Sequence, residues 1–405
     1  MSLFAALRLP REVLFGAGQR HALGKVAARL GKRALVCTDA RLAGEAVFVE
    51  MIGLLEAEGI TVLVDASVEP DVPRDSCTKV ADAARGFAPD LVIGIGGGSC
   101  LDLAKTVALL LKHGGSPGQY YGEGKVPGAI LPMIAVPTTA GTGSEVTPVA
   151  VLSDPDRAMK VGISSAHLIP SAAICDPELT LTCPAGLTAI AGADALTHAI
   201  EAFTAIRRAP SPALAQERVF VGKSALTDHF ALFAIELLGR SLERAYREPD
   251  SIDARSDVMM GALCAGMAFG TAGTAAAHAI QYPIGTLTHT AHGLGVACML
   301  PYVMTFNRSH ATAEFAAIGE ALGSTETDEA KRADEAIELV RTLFARIGIP
   351  ANLKLLGLEE DKLGWTGEQA LTIGRLIDNN PRPLDTSAMH RLIGAAFSGN
   401  LQHAI

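Results

Sequence analysis

The hydrophobic residues of the first 180 positions fall in short continuous runs separated by polar, helix-forming stretches. Five of these runs are long enough for a buried strand and are rich in β-branched residues: 33–39, 60–66, 90–96, 133–139 and 172–178. Continuous apolar runs are typical of parallel strands that helices cover on both faces. The pattern predicts a doubly wound α/β domain with a parallel sheet.

A different pattern begins at Pro184, where the strand-like runs end. Apolar residues then recur at helical spacing with charges on the remaining face, as in 187–205 and 227–248. We therefore expect two domains, with an α/β domain over 1–183 and an all-helical domain over 184–405. Residues 207–224 interrupt the helical periodicity, which predicts a surface loop.

Composition narrows the class of function. Asp and Glu outnumber Lys and Arg by 43 to 34, which argues against a nucleic-acid partner because phosphate binding needs clustered basic residues. The seven cysteines contain no CxxC pair, as is usual in a reducing compartment. The N-terminus does not resemble an export signal, and no apolar run reaches the roughly 18 residues of a membrane span. We expect a cytoplasmic enzyme that acts on a small molecule and has neither a nucleic-acid nor a membrane partner.

A glycine turn between a predicted strand and a predicted helix is the first candidate cofactor site. Gly96, Gly97 and Gly98 end the third run, and the spacing of Ser99 and Asp102 predicts a capping box that starts the helix. Such a turn lets the backbone approach a pyrophosphate, whose charge the helix N-terminus stabilises. Glycines at this point also serve close packing alone, so the turn by itself leaves both interpretations open.

Polar residues also end two other runs. Asp39 ends the first run, where a carboxylate accepts hydrogen bonds from an adenosine ribose and selects NAD over NADP; a helix N-cap is the alternative. A hydroxyl-rich group ends the fourth run: Thr138, Thr139, Thr142 and Ser144. These hydroxyls suit ribose and phosphate contacts or satisfy their own backbone. Because the acid precedes the glycine turn, the domain is predicted to be Rossmann-like rather than a standard Rossmann fold.

The helical half contains candidate metal ligands. Asp194 and His198 lie four residues apart, so one helix face presents both to a single ion or to each other. His278, His289 and His292 lie in a small, apolar stretch where unligated imidazoles are costly to bury. Carboxylate and imidazole without thiolate suit Fe(II) or Zn(II). A metal site is therefore favoured over isolated core histidines.

Six motifs in a fixed order resemble the iron-containing (group III) alcohol dehydrogenase family. They are GGGSCLDLAK, PTTAGTGSEVT, CDPELT, GADALTHAIEAF, HAIQYPIG and HGLGVACMLPYVMTFN, and the resemblance extends over residues 10–395. It implies an NAD-binding α/β domain, a helical metal-binding domain and an active site in the cleft between them. It also implies reversible hydride transfer between a small primary or secondary alcohol, or a diol, and nicotinamide.

The resemblance assigns individual residues to the two cofactors. The ligands of Fe(2+), with Zn(2+) as the alternative, fall on Asp194, His198, His278 and His292. The contacts to NAD fall on Asp39, Gly96, Gly97, Gly98, Ser99, Asp102, Thr138, Thr139, Thr142, Ser144 and Lys160.

One departure from the family pattern concerns proton release. Many relatives have a second histidine four residues after the third ligand, where this chain has Tyr282. We therefore expect Tyr282 to take part in proton release, with His289 as the alternative. Hydroxyacid-oxoacid transhydrogenases, which oxidise 4-hydroxybutyrate, are similar in having this tyrosine and extra residues near 213–224, so a hydroxyacid substrate is the alternative to an alcohol.

Two rival functions follow from the same features. A dehydroquinate synthase-like lyase also combines NAD with a metal, but its anionic substrate needs an Arg and Lys cluster that residues 194–292 do not show. A non-enzymatic binding protein would not need the intact ligand set. A homo-oligomer, with a dimer as the default, is expected for such a fold.

Overall fold

The structure is a computed structural model that describes residues 4–157 and 159–405. It divides into two compact units. The first, here called the α/β unit, comprises Arg8–Cys183 and Ala215–Val219. The nine strands of the described residues are Glu12–Phe15 (β1), Arg33–Cys37 (β2), Thr61–Asp65 (β3), Leu91–Gly96 (β4), Gly122–Glu123 (β5), Met133–Pro137 (β6), Val149–Leu152 (β7), Val161–Ser164 (β8) and Ala172–Cys175 (β9).

Six of these strands form one parallel sheet in the order β1-β9-β6-β4-β2-β3. The five runs predicted to be strands are confirmed as β2, β3, β4, β6 and β9. The strand β1 and the small second sheet, β5-β8-β7, were not predicted, because these strands are short and only partly buried and so lack a continuous apolar run.

Helices cover both faces of the parallel sheet. The helices before residue 184 are Leu23–Ala28 (α1), Ala40–Ala43 (α2), Ala46–Ala57 (α3), Arg74–Arg85 (α4) and Gly98–His113 (α5). In β2, Ala34 and Val36 pack with α1 and α3, whereas Leu35 and Cys37 pack with α4 and α5. Successive side chains of a strand point to opposite faces, so a strand with helices on both sides must be apolar throughout.

The second, here called the helical unit, comprises Pro184–Leu214 and Phe220–Ile405 together with residues 4–7. The helices after residue 184 are Ala185–Thr204 (α6), Leu214–Glu217 (α7), Ala225–Arg247 (α8), Ile252–Ala272 (α9), Ala276–Thr288 (α10), His292–Asn307 (α11), Thr312–Ala321 (α12), Glu329–Arg346 (α13), Leu363–Leu371 (α14), Gly374–Ile377 (α15) and Thr386–Ser398 (α16). No strand lies in 184–405, all of which the structure describes, so the helical prediction is confirmed.

Short 3-10 helices complete several connections: Gln19–Ala22, Pro117–Tyr120, Ala166–Leu168, Pro177–Thr180, Arg308–His310, Leu353–Leu356, Glu360–Lys362 and Leu401–Ala404. The predicted loop 207–224 is largely irregular and contains only the short helix α7. None of the described helices is by itself long and apolar enough to cross a membrane. Only α9 and α10 taken together meet that criterion of length and composition, and they bend by 100° at the break between them.

Candidate active site

The four predicted metal ligands lie together in the helical unit. Asp194 and His198 project from α6, His278 lies in the first turn of α10, and His292 is the first residue of α11. Asp194, His278 and His292 each place a ligand atom within 4.8 Å of the other two. The Nε2 atom of His198 lies 3.8 Å from Oδ1 of Asp194, so the fourth side chain borders the same space.

The hydrogen bonding and burial of His278 fit a bound cation. Nε2 of His278 is buried, has no hydrogen-bond partner among the described residues and lies 3.7 Å from Oδ1 of Asp194. The other nitrogen of that ring, Nδ1, is 2.6 Å from a carboxylate oxygen of Glu201. A metal-binding imidazole usually donates its second N–H to such an acceptor. One carboxylate and three imidazoles form a donor set that suits Fe(II) or Zn(II).

Aromatic side chains stack against the histidine rings of this ligand cluster. Phe269 stacks on His198 with ring centroids 4.2 Å apart, and His198 stacks on His278 at 4.6 Å. The half-buried ring of Tyr282 lies nearly parallel to that of His292, with centroids 5.9 Å apart. His289 is exposed at the C-cap of α10 in a left-handed conformation, outside the ligand cluster, which disfavours it as the alternative to Tyr282.

Two glycines of the HGLG segment allow the three helices to approach one another. A Cβ atom at Gly293 would lie 2.7 Å from the carbonyl oxygen of Ile190 and 2.9 Å from Cβ of Asp194. A Cβ atom at Gly295 would lie 1.6 Å from the side-chain oxygen of Gln281. Gly293 thus brings α11 against α6, and Gly295 brings it against α10. This contact places His292 beside Asp194 and His278.

In the α/β unit, the predicted cofactor contacts cluster at one edge of the parallel sheet. Asp39, the glycine turn and Thr138 follow β2, β4 and β6, which are neighbours in the sheet, and parallel strands end at the same edge. The backbone N–H of Thr138 donates to the carbonyl of Gly96 at 3.0 Å. This is the edge at which open α/β sheets bind ligands.

Asp39 is the N-cap of α2, which was the alternative to a ribose contact in the sequence analysis. Its Oδ1 accepts a hydrogen bond of 2.9 Å from the backbone N–H of Leu42 at the start of α2. Its second oxygen, Oδ2, lies 3.9 Å from Sγ of Cys100, beside the glycine turn. One carboxylate therefore caps α2 and also presents an oxygen toward the turn.

The three glycines of the turn differ in what a side chain would meet. Gly96 has a φ of 146°, and its Cβ would lie 2.4 Å from Sγ of Cys100. A Cβ atom at Gly98 would lie 2.6 Å from Thr142. At Gly97 the nearest atoms belong to Thr139, at 3.4 Å, which is an ordinary contact distance. Packing within the protein therefore requires glycine at 96 and 98 but not at 97.

The predicted capping box of Ser99 and Asp102 is wrong. Helix α5 begins at Gly98, its N-cap is Gly97, and no side chain caps it. Asp102 instead accepts hydrogen bonds from the hydroxyl of Ser144 at 2.6 Å and from the N–H of Val151 at 2.9 Å. Tertiary partners therefore take both carboxylate oxygens, and burial raises the pKa of Asp102.

The comparisons with known proteins identify the family. Residues 10–177 match the family described as "Iron-containing alcohol dehydrogenase", and residues 188–397 match "Fe-containing alcohol dehydrogenase family, C-terminal". The chain belongs to the iron-containing alcohol dehydrogenase family.

Relatives resemble the dehydrogenase over nearly its full length. The chain is 37% identical to "Long-chain-alcohol dehydrogenase 1" of Geobacillus thermodenitrificans (strain NG80-2), with 92% of each protein covered. The crystal structure of 1,3-propanediol oxidoreductase has a TM-score of 0.90 and 31% identity, covering 97% of this chain and 100% of that one. Sulfoacetaldehyde reductase from Bifidobacterium kashiwanohense, solved with NAD+, has a TM-score of 0.84 and 27% identity, covering 98% and 99%.

Family membership confirms the predicted fold, activity and cofactors. The dehydrogenase is an NAD-dependent oxidoreductase that transfers hydride between an alcohol and nicotinamide. Its cofactors are NAD and iron, and its substrate is a small molecule. The dehydroquinate synthase-like lyase and the non-enzymatic alternatives are therefore not supported.

Sequence reasoning missed three buried charged residues of the dehydrogenase. Glu201 lies in the GADALTHAIEAF motif, one turn beyond His198. Lys105 is fully buried in α5, where its ammonium donates to the carbonyls of Thr147 and Val149 at 2.9 and 2.7 Å. Burial lowers the pKa of Lys105 to about 8 and raises that of Glu145 to about 7. The signal available in the sequence was a lysine between the apolar residues 103–104 and 107–111 of α5.

Lys160, the last predicted cofactor contact, lies immediately before β8 and forms an ion pair with Asp71. Its positive charge contributes to lowering the pKa of Asp102, against the larger opposing effect of burial. Ser99 is the second residue of α5 and is half-buried.

Proposed function

We propose that Asp194, His198, His278 and His292 hold one divalent iron ion in this alcohol dehydrogenase. The observation that carries the proposal is the convergence of these side chains from three helices, with the buried Nε2 of His278 facing Asp194. Zn²⁺ would suit the same donor set. When bound, the ion supplies positive charge that stabilises the negative charge developing on the substrate oxygen.

We also propose that the edge formed by Asp39, the glycine turn and Thr138 binds NAD. The first N–H groups of α5, which no side chain caps, favour a pyrophosphate there. The Oδ2 atom of Asp39 would accept from a ribose hydroxyl and repel a 2'-phosphate. The further contacts proposed here, as predicted from the sequence, are Ser99, Asp102, Thr139, Thr142, Ser144 and Lys160. Of these, Asp102 and Ser144 bind each other and would act by holding the loop after β6 against α5.

The proposed substrate is a small primary or secondary alcohol, or a diol. The named relatives differ in substrate, so the family alone does not select among these compounds. One alternative substrate is 4-hydroxybutyrate. It is favoured by Tyr282, because the hydroxyacid-oxoacid transhydrogenases share a tyrosine at this position.

A substrate panel with a ligand variant tests the proposed function. Anaerobically purified enzyme, loaded with Fe(II), is given NAD and simple alcohols, diols or 4-hydroxybutyrate, and NADH formation is recorded. We expect NADH from at least one alcohol or diol, and we expect the Asp194→Asn variant to lose roughly a hundredfold or more of this activity, since a metal ligand is removed. Asp257→Asn, which removes a partly exposed carboxylate on α9, should behave as wild type.

Activity without a bound ion, or full activity of the Asp194→Asn variant, would contradict the metal assignment. NADH formation with 4-hydroxybutyrate alone would replace the alcohol by the hydroxyacid as substrate.

We further propose that Tyr282 takes part in proton release. Its ring lies beside that of His292, and the exposed His289 is outside the cluster. Replacing Tyr282 by Phe should lower kcat on the order of a hundredfold and change its pH profile, because a positioned proton-transfer group is lost. Tyr302→Phe is the matched control, since that hydroxyl bonds the carbonyl of Ala351 instead. A profile unchanged by Tyr282→Phe removes the tyrosine from the reaction.

The proposed assembly is a homodimer in the cytoplasm. Two-fold homodimers are the commonest oligomers of soluble enzymes. All seven cysteines are buried and none forms a disulfide, which suits a reducing compartment. Light scattering at low and high protein concentration measures the assembly state directly.

A further inference from the structure

Glu201 is a buried carboxylate whose hydrogen bonds all lead to one short segment. Its side chain, only 2% exposed, accepts from the backbone N–H of Ala275 at 2.8 Å and from that of Ala277 at 2.7 Å. The oxygen that accepts from Ala275 is also 2.6 Å from Nδ1 of His278. The carboxylate thus has three nitrogen partners at the beginning of α10.

The chemistry of these partners determines the state of the imidazole. An ionised carboxylate only accepts hydrogen bonds, so Nδ1 of His278 must carry the proton in the bond to Glu201. In the neutral ring the other nitrogen, Nε2, then holds a lone pair. That is the nitrogen that faces Oδ1 of Asp194 at 3.7 Å.

The two backbone bonds fix the ring relative to the helix. The first N–H groups of a helix have no partner within the helix, and a negative charge is favoured at its N-terminus. Glu201 accepts from two of these groups, those of the N-cap Ala275 and of Ala277, and also binds the ring of His278, the third residue of α10. One side chain on α6 therefore determines both where α10 begins and how His278 is oriented.

We propose that Glu201 is a positioning residue that presents Nε2 of His278, deprotonated, to the metal ion. This inference rests on the proposed function, because it concerns the same ligand cluster. The competing explanation is that Glu201 only caps α10. The two explanations differ in whether metal affinity, rather than only stability, depends on the carboxylate.

Replacing Glu201 by Gln tests this proposal. The amide offers one acceptor oxygen in place of two and adds an NH₂ group, which in either orientation faces a backbone N–H donor. The NH₂ group can also donate to Nδ1 and leave the proton of His278 on Nε2. We expect Co²⁺ titration of the metal-free enzyme to show roughly 10- to 100-fold weaker binding than wild type.

The control variant disturbs the same segment without touching the ring. The amide of Asn379 donates to the carbonyls of Ala272 and Thr274 at 3.1 Å each. Asn379→Ala should therefore lower the free energy of unfolding while Co²⁺ binds as tightly as in wild type. Equal loss of Co²⁺ affinity in both variants would show that Glu201 acts through stability alone, and would overturn the proposal.

A measurement on the wild-type chain covers the case in which Glu201→Gln does not fold. Nitrogen-15 NMR of the metal-free protein at mildly alkaline pH reports which ring nitrogen of His278 carries the proton. We expect the proton on Nδ1. A proton on Nε2 would overturn the proposal.

The experiment separates this inference from the proposed function. Failure of wild-type enzyme to bind Co²⁺ at the cluster would remove the metal site and the inference together. Wild-type binding that Glu201→Gln leaves unchanged would remove only the role of Glu201.

Discussion

Replacing Gly293 by alanine should weaken metal binding by the dehydrogenase although all four proposed ligand residues remain. The added Cβ would meet the carbonyl of Ile190 and Cβ of Asp194 at less than 3 Å, so α11 must move away from α6. His292, the first residue of α11, moves with it. Overpacking of this kind costs about 1–3 kcal/mol. If it destabilises only the metal-bound conformation, the affinity for Co²⁺ drops by up to roughly a hundredfold.

Equilibrium titration with Co²⁺ and NADH formation after Fe(II) loading measure this effect. Gly394→Ala is the matched control, because Gly394 lies in α16 and a Cβ there meets no atom within 4 Å. That variant should gain about 0.5–1 kcal/mol of helix stability and keep wild-type affinity for Co²⁺. If Gly293→Ala binds Co²⁺ as tightly as the control, close approach of the helices is not what assembles the ligands.

The second large effect is expected at Gly97. A Cβ atom there has room within the protein, since its nearest neighbours are the side-chain atoms of Thr139 at 3.4 Å. The only object it should obstruct is a pyrophosphate lying against the backbone of the turn. We expect Gly97→Ala to weaken NADH binding by roughly tenfold or more, with a loss of stability of only about 0.5–1 kcal/mol from the altered N-cap.

Fluorescence titration with NADH measures the affinity for the cofactor, and chemical denaturation measures the free energy of unfolding. Gly53→Ala in α3, where a Cβ meets no atom within 4 Å, should leave the NADH affinity at the wild-type value and gain about 0.5–1 kcal/mol of helix stability. Gly96→Ala should instead destabilise the fold itself, because φ is 146° and Cys100 is in the way. If Gly97→Ala binds NADH as tightly as wild type, the glycine turn serves close packing and does not bind the pyrophosphate.

The sheet could be predicted because burial on both faces leaves a signal within each strand. Alternate residues of β2 enter different hydrophobic cores, so the four buried positions from Ala34 to Cys37 are all apolar. The strand β1 is half-buried along its length and only four residues long, so it gave no such signal. The proposed metal cluster was predictable in part because Asp194 and His198 are neighbours on one helix face.

The errors and omissions concern side chains whose partners are remote in sequence. Asp102 has the spacing of a capping box, but its partners Ser144 and Val151 lie 42 and 49 residues away. Glu201 bonds groups 74 to 77 residues away, which no local pattern records. A buried carboxylate binds the hydrogen-bond donors that lie nearest to it, and the tertiary structure determines which donors these are.

The carboxylate of Asp39 caps α2 and is also proposed to contact the ribose of the coenzyme. Both roles affect how the preference for NAD over NADP can be changed. If this residue discriminates between NAD and NADP as proposed, engineering the enzyme toward NADP means removing its negative charge. Removing the side chain altogether would also leave the first turn of α2 without its acceptor, at about 1 kcal/mol. Asparagine or serine would retain the bond to Leu42 while neutralising the position, so redesign of coenzyme preference should begin with these two residues.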